Sequence, residues 1–236
     1  MARRTPAPEA SDESVLRRRP RQERSRRRVE ALLDAAAQVF AEAGFEAATT
    51  EAIAARAGTS IGSLYQFFPS KTALFVALAE RCLGRSRALV GGLLHAWPAG
   101  RPWTELLDAA VDGLWAQHRA DPGVRALMHN LHLYDSFAAA DRALTEEITA
   151  QAQRLFLRLS PALPRARAAM LAAMVVSVVS SLLVLCEREE PRRARRMMDE
   201  TKLLLRRYLD VLDEEREAAR EKAAREERQN KSQAQG

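Results

Sequence analysis

The residues from Thr50 to Phe75, TEAIAARAGTSIGSLYQFFPSKTALF, hold the chain's densest set of signals with a chemical meaning, and that chemistry is DNA recognition. Ile53, Ala54 and Ala57 give a first short helix a small apolar face. Gly58 follows as a residue able to take the left-handed backbone a helix end needs. Ser60 is placed to cap a second helix over 61–68, and Pro69 stops it. Ser70 then caps a third helix starting near Lys71. Two short helices joined by a tight glycine turn form a helix-turn-helix, whose second helix enters the DNA major groove.

Other chemistry is poorly supported. His129, His132 and Asp135 recur at helical spacing, which is geometrically possible for a metal, but nothing else supports such a site and none is assigned. The sequence holds no Gly-rich phosphate loop, nucleophile elbow or acid/base constellation, so no enzyme activity and no cofactor are expected. Cys82 and Cys186 lie far apart without metal-ligand spacing. The N-terminus has no apolar segment of a signal peptide, and a reduced, cytoplasmic protein without disulfides is the expectation.

Charge distribution agrees with DNA binding. The chain carries a net +6, and residues 1–30 hold ten Arg against five acids. A basic arm beside a helix-turn-helix is an electrostatic footprint for phosphate, and equally describes a solvated tail. Residues 1–20 read as disordered and 21–70 as the DNA-binding domain. Residues 71–214 read as a second helical domain, and 215–236 as a charged tail without an apolar stripe.

Helical periodicity runs through the rest. A helix from about Gln22 carries Val29, Leu32, Leu33, Ala36, Val39 and Phe40 on one side and ends at Gly44. Further helices are predicted over 71–95, 103–119, from 122 to about 133, 137–159, 165–189 and 191–214. No strand-like alternation appears, so the fold class is all-α. Ala168 to Cys186 is uncharged and meets the length rule for a membrane span. It stands alone in a chain of mean hydropathy −0.30. A buried core helix is the reading, with no membrane association.

The stretch from Thr49 to Phe75 resembles the TetR family of bacterial transcriptional regulators. The resemblance rests on Thr49 or Thr50, Ile53-Ala54, Ala57-Gly58, Ser60, Gly62, Leu64-Tyr65, Phe68, Lys71 and Leu74. The preceding Phe40-Ala41-Glu42-Ala43-Gly44-Phe45 fits as well. It implies that Ser60, Ile61, Gly62, Ser63 and Gln66 face base edges. Gln66 suits adenine N6/N7, Ser63 is a less selective partner, and Ile61 suits a thymine methyl. Gly62, without a side chain, permits close approach. Tyr65, Lys71 and Thr49 or Thr50 resemble phosphate contacts that set register. Two positions depart: Phe67 stands where the family often has a polar residue counted among the DNA contacts, and Thr72 where Glu is frequent.

The resemblance also implies a C-terminal ligand pocket and a dimer interface. Trp103, Trp115, Met128, His132, Tyr134, Phe137, Phe156 and Met174 are the pocket candidates, favouring a small apolar or aromatic effector. The dimer has independent support in the spacing. Ala169, Ala173, Ser177 and Ser181 form a stripe of small residues at i+4 spacing, and Leu204 and Tyr208 sit on the following helix. Two helices from each subunit would form a four-helix interface.

The sequence therefore predicts a homodimeric regulator binding a near-palindromic operator in double-stranded DNA. It is read as a repressor released by a small-molecule effector through the long fourth helix. The alternative is an effector-independent DNA-binding protein that organises chromosomes or answers to a protein partner.

Overall fold

A computed structural model describes residues 23–98 and 101–214, together with 217 and 221; the side chains of His129, Leu131, His132 and Tyr134 fall outside that description. The proposed arm over 1–20 and, apart from 217 and 221, the tail over 215–236 also lie outside the described residues. Nine α-helices are described: α1 Glu23–Ala47, α2 Thr50–Arg56, α3 Ile61–Phe67, α4 Lys71–Ala96, α5 Trp103–Ala120, α6 Pro122–His129, α7 Ala138–Leu159, α8 Arg165–Cys186 and α9 Pro191–Leu209. A 3-10 turn, Leu131–Ser136, precedes α7, and no strand occurs among the described residues. The all-α fold is as the sequence predicts.

The chain divides into two compact units, Met1–Leu78 and Ala79–Gly236. The division falls inside α4 rather than before Lys71, because Leu74, Phe75 and Leu78 are fully buried. Phe75 meets Phe40 and Phe45 edge-on, with ring centroids 5.5 and 5.4 Å apart, while Phe40 and Phe45 stack at 5.6 Å. Such tilted and offset contacts suit the aromatic quadrupole. Gly44 makes the cluster possible: its backbone leaves the helix at φ 74° and redirects the chain, so that Phe45 is buried.

In the second unit α7 packs on α8 and α8 on α9, while α5 crosses both α8 and α9. Trp103, Phe156, Leu171, Met198 and Leu205 belong to its core. Ion pairs flank the α5–α9 seam: Arg206 pairs with Asp108, and Lys202 Nζ lies 2.8 Å from Asp112 Oδ1. The hydrogen bond to Asp112 is the main cause that raises the Lys202 pKa above its ordinary value.

Two sequence expectations change here. The helix expected to run to about Leu133 stops at His129, where the Asn130 side chain donates to the Ala126 carbonyl at 2.7 Å and competes with the backbone for it. The second concerns α8, expected to be buried all round. It is long and apolar enough to cross a membrane by length and composition alone, but only 33% of that window is buried. Ala168, Leu171, Ala172, Val176, Val179 and Leu183 face the core, while Met170 and Met174 stand 57% and 45% exposed. One face of α8 is thus an uncovered apolar surface.

Candidate nucleic-acid interface and ligand cavity

Each end of the helix-turn-helix is fixed by a local hydrogen bond. Thr49 Oγ1 accepts from Ala52 N at 3.1 Å and starts α2. At its far end the N–H of Gly58 reaches Ala55 O and that of Thr59 reaches Ala54 O, at 3.1 and 3.0 Å. This paired closure is a Schellman motif, and it needs the left-handed residue that Gly58 supplies at φ 64°. Ser60 Oγ accepts from Ser63 N at 3.2 Å and starts α3, and Ser70 Oγ accepts from Ala73 N at 3.0 Å and starts α4. The caps read from sequence at Ser60 and Ser70 are both present, and Thr49, not Thr50, caps α2.

These anchors turn one face of α3 outward. Ile61, Gly62, Tyr65 and Gln66 are exposed, at the i, i+1, i+4, i+5 spacing of a single helical face. Leu64, Phe67 and Phe68 point inward and are buried. A Cβ built on Gly62 would meet nothing within 4 Å, so no neighbour in this chain demands glycine there. The N-terminus of α1 adds exposed Arg24, Arg26, Arg27 and Arg28 beside a single first-turn acid, Glu23. Cations at a helix N-terminus oppose the macrodipole, a cost that a neighbouring anion relieves.

In the second unit, α4, α5, α7 and α8 enclose a cavity of about 120 Å³. Its walls are almost wholly hydrocarbon, including Val90, Leu94, Leu106, Trp103, Phe156 and Val179, and Ser180 supplies a hydroxyl. The Trp103 indole N–H is held by Asp213 Oδ2 at 2.9 Å, which fixes the ring against the cavity. Buried Asp121 pins the start of α6: its Oδ1 accepts from Gly123 N at 2.8 Å and its Oδ2 from Arg85 Nη1 at 2.7 Å. Beside it Cys82 is buried, and burial, followed by the Asp121 charge, pushes its thiol pKa up to about 12.

Comparison with known proteins places this architecture. Residues 32–78 match the family model described as "Bacterial regulatory proteins, tetR family", and residues 102–209 match "Tetracyclin repressor-like, C-terminal domain". The chain belongs to the TetR family. Among relatives of this TetR-family protein, the HTH-type transcriptional activator FasR of Mycolicibacterium smegmatis is 31% identical over 149 residues, covering 62% of this chain and 66% of that protein. The HTH-type transcriptional repressor KstR of Rhodococcus jostii is 28% identical over 128 residues, covering 54% and 57%. Both matches thus span less than two thirds of the relative's own length. A solved TetR-family transcriptional regulator from Streptomyces coelicolor superposes with a TM-score of 0.57 at 28% identity, covering 78% of this chain and 99% of that one. These relatives are regulators, not enzymes.

Within the TetR-family frame, several sequence assignments gain a position and several need correction. Thr49, Ser60, Ile61, Gly62, Tyr65 and Gln66 share the exposed side of the motif, and Thr50 is buried against Tyr65. Phe67 is only 5% exposed, so it is a core residue and no DNA contact. The Ser63 hydroxyl oxygen is buried without a partner, turned away from the surface where a base would lie. Lys71, expected on a phosphate, instead donates to the carbonyls of Phe45, Glu46 and Ala48 at 2.6, 3.2 and 3.0 Å. Its ammonium also sits 4.4 Å from the centre of the Phe45 ring. All three of its protons therefore close the C-terminal end of α1.

The pocket assignment is corrected more heavily. Trp103 and Phe156 line the cavity, but Trp115 does not and belongs to the core beside it. Met128 and Phe137 border a separate small cavity with Cys82 and His118, and Met174 lies on the outer face. His132 and Tyr134 have side chains outside the described residues. Sequence reasoning favoured aromatics, whereas the lining is mostly Val, Leu and Ala, whose spacing is that of ordinary core. Of the dimer candidates, Ala173, Ser177, Ser181 and Leu204 are exposed, while Ala169 and Tyr208 are half-buried.

Proposed function

We propose that this protein is a homodimeric, cytoplasmic transcriptional repressor that reads a near-palindromic DNA site and leaves it when an apolar ligand enters the second unit. The observation that carries the DNA reading is the exposed face of α3. Its Gly62 has no packing reason within the chain, although glycine in a helix costs about 1 kcal/mol relative to alanine. Close approach of a nucleic-acid backbone or base edge supplies the reason. Gln66, one turn on, is the residue best suited to a base. The exposed apolar faces of α8 and α9 support a second copy as partner, since a large uncovered apolar patch marks an interaction surface. An apolar cavity supports an apolar effector over the effector-independent alternative. Relatives are named both as activator and as repressor, and we assign repression on the basis that a ligand-released protein acts by occupying its operator.

The test is a binding assay of the full-length protein on DNA flanking its own gene, at fixed salt, with and without apolar ligands. Specific binding exceeding that to scrambled DNA, lost on ligand addition with a rise in transcription in vitro, is the expected result. Gln66→Ala should cost about 1–3 kcal/mol on the specific site and little on random DNA. Equal losses on both would remove Gln66 from base reading.

A further inference from the structure

Beside the apolar cavity lies a second depression of different chemistry, a groove of about 500 Å³ between α4 and α7. Arg87 and His95 border it from α4, and Glu147, Gln151, Arg154 and Arg158 from α7. The two spaces share Leu94 as a wall. At that point Arg158 Nη2 donates to the Leu94 carbonyl at 3.3 Å, which sets a guanidinium at the junction.

The charge in the groove is not internally balanced. Arg87 Nε is paired with Glu147 at 2.9 Å, but Arg154 and Arg158 make no ion pair among the described residues. They stand four residues apart on one face of α7, where like charges repel. The floor on the α4 side is Gly91-Gly92, two consecutive glycines inside a helix. A Cβ at Gly91 would come 3.4 Å from Gln151 Oε1, but at Gly92 it would meet nothing within 4 Å. Glycine at 92 therefore leaves space that this chain does not fill.

The cavity, by contrast, offers no charged side chain to a ligand. A charged group carried into it would lose its hydration without a partner, so any charge on the ligand must remain outside. The groove next to Leu94 is where such a charge meets compensation. Two guanidinium groups without an ion-pair partner among the described residues, with His95 nearby, suit a phosphate, which accepts several forked hydrogen bonds, better than a single carboxylate.

We propose that the α4–α7 groove is the head-group subsite of the effector cavity, and that the effector is an amphiphile: an apolar body in the cavity joined to a phosphate-bearing head between Arg154 and Arg158. This rests on the cavity being the effector site. It narrows the ligand from any apolar molecule to an anionic one, and makes its affinity salt-dependent.

The experiment is titration calorimetry of the full-length protein with three probes: decanol, decanoate and decyl phosphate. Wild type, Arg154→Gln and the Arg154→Gln/Arg158→Gln double variant are compared, with folding checked by circular dichroism. Decyl phosphate should bind at least about tenfold tighter than decanol or decanoate. The double variant should lose about tenfold or more of that affinity and its salt dependence, with decanol binding unchanged. Decanol binding with no gain for decyl phosphate, decanoate binding as tightly as decyl phosphate, or double-variant affinities equal to wild type would overturn the head-group subsite while leaving the cavity as effector site. Binding of neither decanol nor decyl phosphate to wild type would instead overturn the cavity reading on which it depends.

Discussion

The Tyr65 hydroxyl lies 3.1 Å from Thr50 Oγ1, joining the first helix of the helix-turn-helix to the second across fifteen residues of sequence. Thr50 is buried, whereas Tyr65 is 40% exposed, so the bond holds an outward aromatic against an inward anchor. Tyr65→Phe should lower stability by about 0.5–1.5 kcal/mol, the usual net worth of one hydrogen bond. It should also weaken specific and random DNA alike, because it removes a hydroxyl that fixes orientation rather than one that reads a base. Urea unfolding and paired binding isotherms measure the two effects, and a selective loss on the specific site would mean that Tyr65 contacts a base.

Lys71 makes a sharper prediction, because its two readings differ in what they change. With three backbone carbonyls as partners and the Phe45 ring beneath it, the ammonium closes α1 where the helix leaves acceptors unsatisfied. Lys71→Met should destabilise the first unit by about 1.5–3 kcal/mol, as expected for hydrogen bonds to a charged group. Any loss in DNA affinity should then follow the folded fraction. A variant as stable as wild type that binds DNA poorly would return Lys71 to a phosphate contact.

Two glycines of the same motif should respond in opposite ways to alanine. At neither would a new Cβ touch anything within 4 Å, so packing plays no part in the comparison. Gly58 holds φ 64°, and Gly58→Ala should cost about 1–2 kcal/mol through the left-handed backbone alone. Gly62 is helical, and Gly62→Ala should stabilise by up to about 1 kcal/mol. The same substitution should reduce operator affinity if α3 sits close to DNA. Gain of stability with full DNA affinity would place Gly62 away from the interface.

The contrast between those residues shows what was legible beforehand. Caps and turns depend on neighbours within a few positions, so Gly58, Ser60 and Ser70 could be assigned from sequence. Lys71 could not, because its partners at Phe45, Glu46 and Ala48 lie more than twenty residues away and a long cation has no spacing signal. The cavity was illegible for a related reason. Val90, Leu106 and Val179 have the periodicity of core residues, and whether helices meet or leave a gap depends on how they pack. Asp108 and Asp112 on α5 likewise find their partners, Arg206 and Lys202 on α9, only in three dimensions.

The outer face of α8 and α9 is the remaining surface that calls for a partner. Met170, Met174, Leu185, Leu203 and Leu204 are between 45% and 57% exposed, a concentration of large apolar side chains unusual on a free surface. Between the methionines and Leu185 run Ala173, Ser177 and Ser181, small enough to let a second helix approach closely. A twofold arrangement would bring each face against its copy and cover both without a new partner. In the proposed homodimer, Met174→Glu combined with Leu204→Glu should leave a monomer in sedimentation experiments. Helical content should be retained, because both side chains are already about half exposed within one chain. Affinity for the full DNA site should fall towards that for a half-site, since two linked reading heads bind with an avidity that one head lacks. A dimer that survived both glutamates would place the subunit contact elsewhere and leave this face for a different protein.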